Sequence, residues 1–181
     1  MSQGKLAGTV LLVSDVDGVM TDGGLYYDEQ GSISKRFHVQ DGLGIKLAQA
    51  AGMEVAVTTG LESEAVRSRI EELGIREFYS GGLHKGDLVS RIAAERGVSL
   101  ENTAYVGDDW VDAPAMAVVG MPIAVQNAQP EIKRMASIVT ENRGGEGALR
   151  EVVVAILKAQ GKLEEMWRQW MQLNASGSFS A

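Results

Sequence analysis

Thr9-Val10-Leu11-Leu12-Val13-Ser14-Asp15-Val16-Asp17-Gly18-Val19-Met20-Thr21-Asp22-Gly23 is the stretch from which the rest of the chain can be read. Thr9 to Ser14 is a short β-branched run without a polar face, the pattern of a strand buried on both sides. It runs directly into Asp15 and Asp17, and Gly18 behind them lets the backbone approach a ligand closely. Comparable runs recur at Glu54 to Thr58, Thr103 to Val106 and Met121 to Val125, each close to a turn residue: Gly52, Gly60, Gly107 or Gly120. Between them, helical spacing covers Leu43 to Ala51, Glu62 to Leu73, Lys85 to Arg96 and Ala113 to Val119. Gly74 stands where the second of these helices needs its C-cap. Alternating strands and helices predict an α/β fold, a parallel sheet with helices on both faces. In such sheets ligands bind beyond the carboxyl ends of the strands, so strand-end residues are the candidates for chemistry.

One segment breaks the alternation. Leu25-Tyr26-Tyr27 and Ile33 to Val39 flank a Gly31 turn and read as a small β-hairpin inserted at about 23–39. After Gly144-Gly145-Glu146-Gly147, a last core helix carries Leu149, Val152, Val153, Ile156 and Leu157 on one stripe. A second stripe, Leu163, Met166, Trp167, Trp170 and Met171, is expected to pack on the subunit or a neighbour. Residues 1–165 therefore read as one domain and 166–181 as a tail, partly disordered from Asn174 onward.

Composition narrows the function. The chain has 181 residues, 17 Lys+Arg against 24 Asp+Glu and a net charge of −7, which disfavours a nucleic-acid partner. With no cysteine, a thiolate metal site, a disulfide framework and a cysteine nucleophile are excluded. The apolar run before Asp15 is too short for a signal-peptide core or a membrane span, so a soluble, unprocessed, cytoplasmic protein is expected.

A second acidic group, Gly107-Asp108-Asp109-Trp110-Val111-Asp112, follows another buried run. If the two strands are neighbours, their carboxylates converge as hard oxygen ligands for Mg²⁺. Thr59-Gly60 adds a hydroxyl and a close N–H, and Lys85 adds a point charge suited to phosphate.

The order Asp-x-Asp-Gly-x-x-Thr-Asp, Thr-Gly, Lys, Gly-Asp-Asp-x-x-Asp resembles the haloacid dehalogenase (HAD) phosphatase superfamily at every motif. Phe37 to Ile45, Ala104 to Asp109, Gly144 to Val152 and Ala159 to Leu163 narrow the likeness to the capless branch that dephosphorylates 3-deoxy-D-manno-octulosonate 8-phosphate. The resemblance implies a Rossmann-like (HAD-like) sheet without a large cap domain and a Mg²⁺-dependent phosphatase of a small sugar phosphate. Asp15 would be the nucleophile and Asp17 the general acid and base. Mg²⁺ would be held by Asp15, the Asp17 carbonyl and Asp108, with Thr59, Gly60 and Lys85 on the phosphate. Asp109 and Asp112 would orient Lys85 or metal-bound water, although Asp112 also reads as a simple N-cap for the Ala113 helix. Arg67, Arg143 and Arg150 are candidates for the sugar carboxylate. Gly144 and Gly145 would contact substrate across the interface of a homotetramer built on the hairpins.

Other readings are a phosphatase for a nonulosonate 9-phosphate or another sugar phosphate, and a non-enzymatic receiver-like phospho-acceptor. Leu61 stands where octulosonate phosphatases usually carry Arg, and Glu146 where many relatives carry a basic residue. In receiver domains the acidic pair comes first and the phosphorylated Asp follows the third strand. Here the candidate nucleophile follows the first, which favours the phosphatase.

Overall fold

A computed structural model of the chain describes residues 2–61, 63–80, 82 and 84–176. Its centre is β1 (Leu11–Asp15), all five residues of which are buried. It is flanked in parallel by β4 (Glu54–Thr59) and β6 (Thr103–Gly107), with Asp15 in register with Thr58 and Ser14 with Val106. With β5 (Glu77–Ser80), β7 (Met121–Ala124) and β8 (Ile138–Val139) these form a six-stranded sheet in the order β5-β4-β1-β6-β7-β8. Chain order reverses direction at β1, which opens a crevice beyond its carboxyl end.

Burial of consecutive residues in β1 and β6 requires cover on both faces. The helices supply it in two groups. α1 (Ser2–Ala7) and α2 (Val39–Ala50) pack on α7 (Ala148–Ala159). α4 (Lys85–Glu95) packs on α5 (Ala113–Val118), which also touches α6 (Pro130–Met135). The α7 stripe of Leu149, Val152, Val153, Ile156 and Leu157 is buried as expected. Each such side chain contributes about 1.5–3 kcal/mol relative to exposure. α3 (Glu64–Glu72) begins at Ser63, whose Oγ accepts the Val66 N–H, and ends at Gly74, whose φ of 64° continues the turn without strain.

Two expectations need correction. The hairpin's paired strands are only β2 (Tyr26–Tyr27) and β3 (Ile33–Ser34), because the chain from Val39 winds into α2 with Val39 itself 83% exposed. An exposed valine at a helix start mimics a strand residue. The tail boundary at 165 falls inside α8 (Leu163–Ser176), so Asn174 to Ser176 are helical, and 177–181 lie outside the described residues. In α8, Leu163, Met166 and Trp170 pack on the core, whereas Trp167 and Met171 are exposed. Among the described residues no helix is long and apolar enough to cross a membrane.

Candidate active site

Asp15 ends β1 and is buried; the chain then turns tightly, with the Val16 carbonyl accepting the Met20 and Thr21 N–H groups. Thr21 stitches this loop. Its hydroxyl donates to Val16 O and accepts from Gly18 N and Gly23 N. Gly18, at φ 90°, is required twice, because a Cβ there would also collide with the Asp108 carboxylate from the end of β6. Gly107 is equally confined, with Asp112 where its Cβ would stand.

Asp112, 0% exposed, organises the centre. Its Oδ1 accepts from Lys85 Nζ at 2.7 Å and from the Tyr105 hydroxyl at 2.7 Å. Its Oδ2 accepts the N–H groups of Asp108 at 2.9 Å and Asp109 at 3.2 Å. It occupies the residue before α5 but makes no side-chain cap to that helix. Lys85 also reaches Asp15 Oδ1 at 2.8 Å, so one ammonium joins two carboxylates away from water. Burial works against its charge, but Asp15 and Asp112 outweigh this and raise its pKa.

Burial first, then the charge of Asp112, pushes the Asp15 carboxyl up to about 7 against the pull of Lys85. Burial, then Asp112 and Asp15, pushes Asp108 up to about 8. Asp108 Oδ1 is buried with no hydrogen-bond partner. Carboxylate oxygens of Asp15, Asp108 and Asp112 lie within 4.8 Å of one another. Both Asp112 oxygens are already occupied by donors, which leaves Asp15 and Asp108 to hold a cation. A bare, buried carboxylate oxygen beside a second carboxylate fits a small hard divalent ion.

Thr59 ends β4, buried, with its hydroxyl 3.5 Å from Asp17 Oδ2 and bonded to Leu61 N and O. Asp109 is not brought to Lys85; its Oδ1 accepts the Trp110 N–H and caps the short turn there. Arg67 and Arg143 are exposed, and Arg150 lines an apolar cavity with Leu43, Leu47 and residues of α8.

The Gly144 to Gly147 loop packs on its own chain. Gly145 N donates to Val19 O, Gly144 N to Asn127 Oδ1, and a Cβ on Gly144 would strike the Gly18 carbonyl. Its glycines fit this segment against the loop carrying Asp17. Asp41 fixes it from below, accepting the N–H groups of Gly147 and Arg150 at the start of α7. Sequence reasoning missed Asp41, Tyr105 and Lys35, whose Nζ contacts Asp17. Tyr105 lies inside the buried run of β6, and Asp41 in a polar stretch at the start of α2, and in neither place does one more polar residue carry a positional signal.

Fold and site together define a haloacid dehalogenase-like phosphatase, and residues 74–151 match the haloacid dehalogenase-like hydrolase family. The chain is 46% identical over 160 residues to the 3-deoxy-D-manno-octulosonate 8-phosphate phosphatase KdsC of Haemophilus influenzae, covering 88% of this chain and 89% of that protein. The cobalt-bound structure of the Haemophilus influenzae enzyme superposes with a TM-score of 0.87 at 43% identity, covering 91% of this chain and 99% of that one. The Moraxella catarrhalis phosphatase, solved with magnesium, phosphate and KDO, gives 0.90 at 34% identity, covering 93% and 97%. The chain belongs to the family of 3-deoxy-D-manno-octulosonate 8-phosphate phosphatases.

Proposed function

We propose that this chain hydrolyses 3-deoxy-D-manno-octulosonate 8-phosphate to the sugar acid and phosphate through an aspartyl phosphate on Asp15, with Mg²⁺ on Asp15, the Asp17 carbonyl and Asp108. The observation that carries this reading is the buried Asp15 carboxylate between Lys85 and the bare Asp108 oxygen. Mg²⁺, when bound, offsets the negative charge that otherwise keeps a carboxylate from a phosphate dianion. Asp15 attacks phosphorus, and Asp17 protonates the departing sugar oxygen. Asp17 then takes a proton from the water that hydrolyses the aspartyl phosphate. Thr59, Gly60 and Lys85 hold the transferring oxygens, with Asp112 keeping Lys85 in place.

Arg67, Arg143 and Arg150 remain proposals for the sugar carboxylate. Glu146 faces a basic partner here, Arg36 at 3.9 Å. The exposed Tyr26 and Tyr27 on the hairpin suit contact between copies, and we assign a cytoplasmic homotetramer. The test is a panel of sugar phosphates, with light scattering at assay concentration. The octulosonate phosphate should lead and Asp15→Asn should abolish turnover; preference for a hexose phosphate or a nucleotide overturns the substrate, and an active monomer overturns the assembly.

A further inference from the structure

The Asp17 carboxylate lies between two groups, Thr59 on one oxygen and, on Oδ1, Lys35 Nζ at 2.5 Å. The Lys35 side chain is 0% exposed although that of Asp17 is 31% exposed. An exposed lysine contributes little in such a pair, because a long mobile chain must be held for a screened contact. Lys35 is held already. On one side of it Ser34 pairs with Tyr26; on the other Phe37, packed on the core, bridges to Thr21 of the catalytic loop. Arg36 and the Tyr26 hydroxyl both bind Asp22 of the same loop. The hairpin is thus tied down on each side of Lys35.

We propose that Lys35 is a positioning residue for Asp17, holding its carboxylate in the rotamer that serves the departing oxygen. The inference rests on the role given to Asp17 above. In the first half-reaction the Asp15 oxygen bonds to phosphorus and the bond from phosphorus to the sugar oxygen breaks. Its electron pair stays on the sugar oxygen, which takes the Asp17 proton. In the second half-reaction water bonds to phosphorus, the bond from phosphorus to the Asp15 oxygen breaks with its electron pair returning to the carboxylate, and the proton from water returns to Asp17. Lys35 neither gains nor loses a proton. Its effect therefore falls on leaving groups that need protonation as they depart.

The test compares Lys35→Met, which keeps the stem and removes the charge, with wild type on three esters: the octulosonate phosphate, phenyl phosphate and p-nitrophenyl phosphate. The constant kcat/KM reports events through departure of the leaving group. It should fall about 10- to 100-fold for the sugar and phenyl esters, the scale of a misplaced general acid, and less than about threefold for p-nitrophenyl phosphate, whose oxygen leaves without a proton. Lys35→Arg should restore most of the loss, and Lys35→Gln should repeat the pattern of Lys35→Met. Equal losses on all three esters would make Lys35 merely structural and overturn the proposal. So would a loss confined to the sugar acid, which would make it a substrate contact, or no loss at all. A wild-type protein inactive on every ester would instead refute the phosphatase reading itself.

Discussion

Asp112→Asn removes one charge without changing shape, and its cost follows from the hydrogen bonds at each oxygen. Oδ1 faces two donors, Lys85 Nζ and the Tyr105 hydroxyl; Oδ2 faces two more, the N–H groups of Asp108 and Asp109. An amide offers one oxygen and one NH₂, so in either orientation one donor pair meets another donor. Each buried donor left unpaired costs about 1–3 kcal/mol. Asp112 also repels Asp15 and Asp108, and losing that repulsion returns part of the cost. The net loss should be about 2–4 kcal/mol, or a fall of about 1–2 M in the urea midpoint with an unchanged slope. Tryptophan fluorescence in EDTA measures this. Asp109→Asn is the control, because that exposed carboxylate only caps the short turn that follows it, a role asparagine also fills, and should cost under about 1 kcal/mol. Equal midpoints for the two variants would refute Asp112 as the organising group.

Asp15 and Asp108 are pushed up to about 7 and about 8, chiefly by burial, so between roughly pH 4 and pH 8 the folded chain binds more protons than the unfolded one. Stability without metal therefore falls as pH rises through that window, and the Mg²⁺-induced rise in Tm grows with pH; a metal-free Tm that stays flat from acid to neutral pH would contradict the site electrostatics. Gly144→Ala drives a methyl into the Gly18 carbonyl and should cost about 1–3 kcal/mol. It should also lower turnover by shifting Asp17, whereas Gly31→Ala, with open space around it, should leave turnover alone despite its positive φ.

The centre of this fold is legible because a doubly buried parallel strand needs a run of apolar and small residues, and β1, β4, β6 and β7 each contain one. The edges are not. β5 is only half-buried to exposed and β8 has two residues, so neither leaves an apolar run. α6 spans six residues behind Pro130, too few for periodicity to show. Asp15, Asp17, Thr59, Lys85 and Asp108 were found because each stands at a strand or helix end, where chain order predicts convergence. Lys35 escaped because its meaning depends on a tertiary contact 18 residues away in sequence. The seat of the glycine loop against the Asp17 loop was hidden for a related reason, since glycine shows that something approaches closely but not what.

Gly144 abuts the Gly18 carbonyl, Gly18 abuts the Asp108 carboxylate, and Gly107 abuts Asp112. For a lineage accumulating changes, these three positions are closed doors. The obstacle at each is a backbone carbonyl or a carboxylate the site needs, so no second substitution can shrink it and rescue the first. Leu61 and Glu146 instead face solvent. Drift is therefore channelled outward. The chemistry stays frozen at the centre while the rim is free to explore new sugars, and two such proteins with different substrates should differ first in the side chains around the mouth.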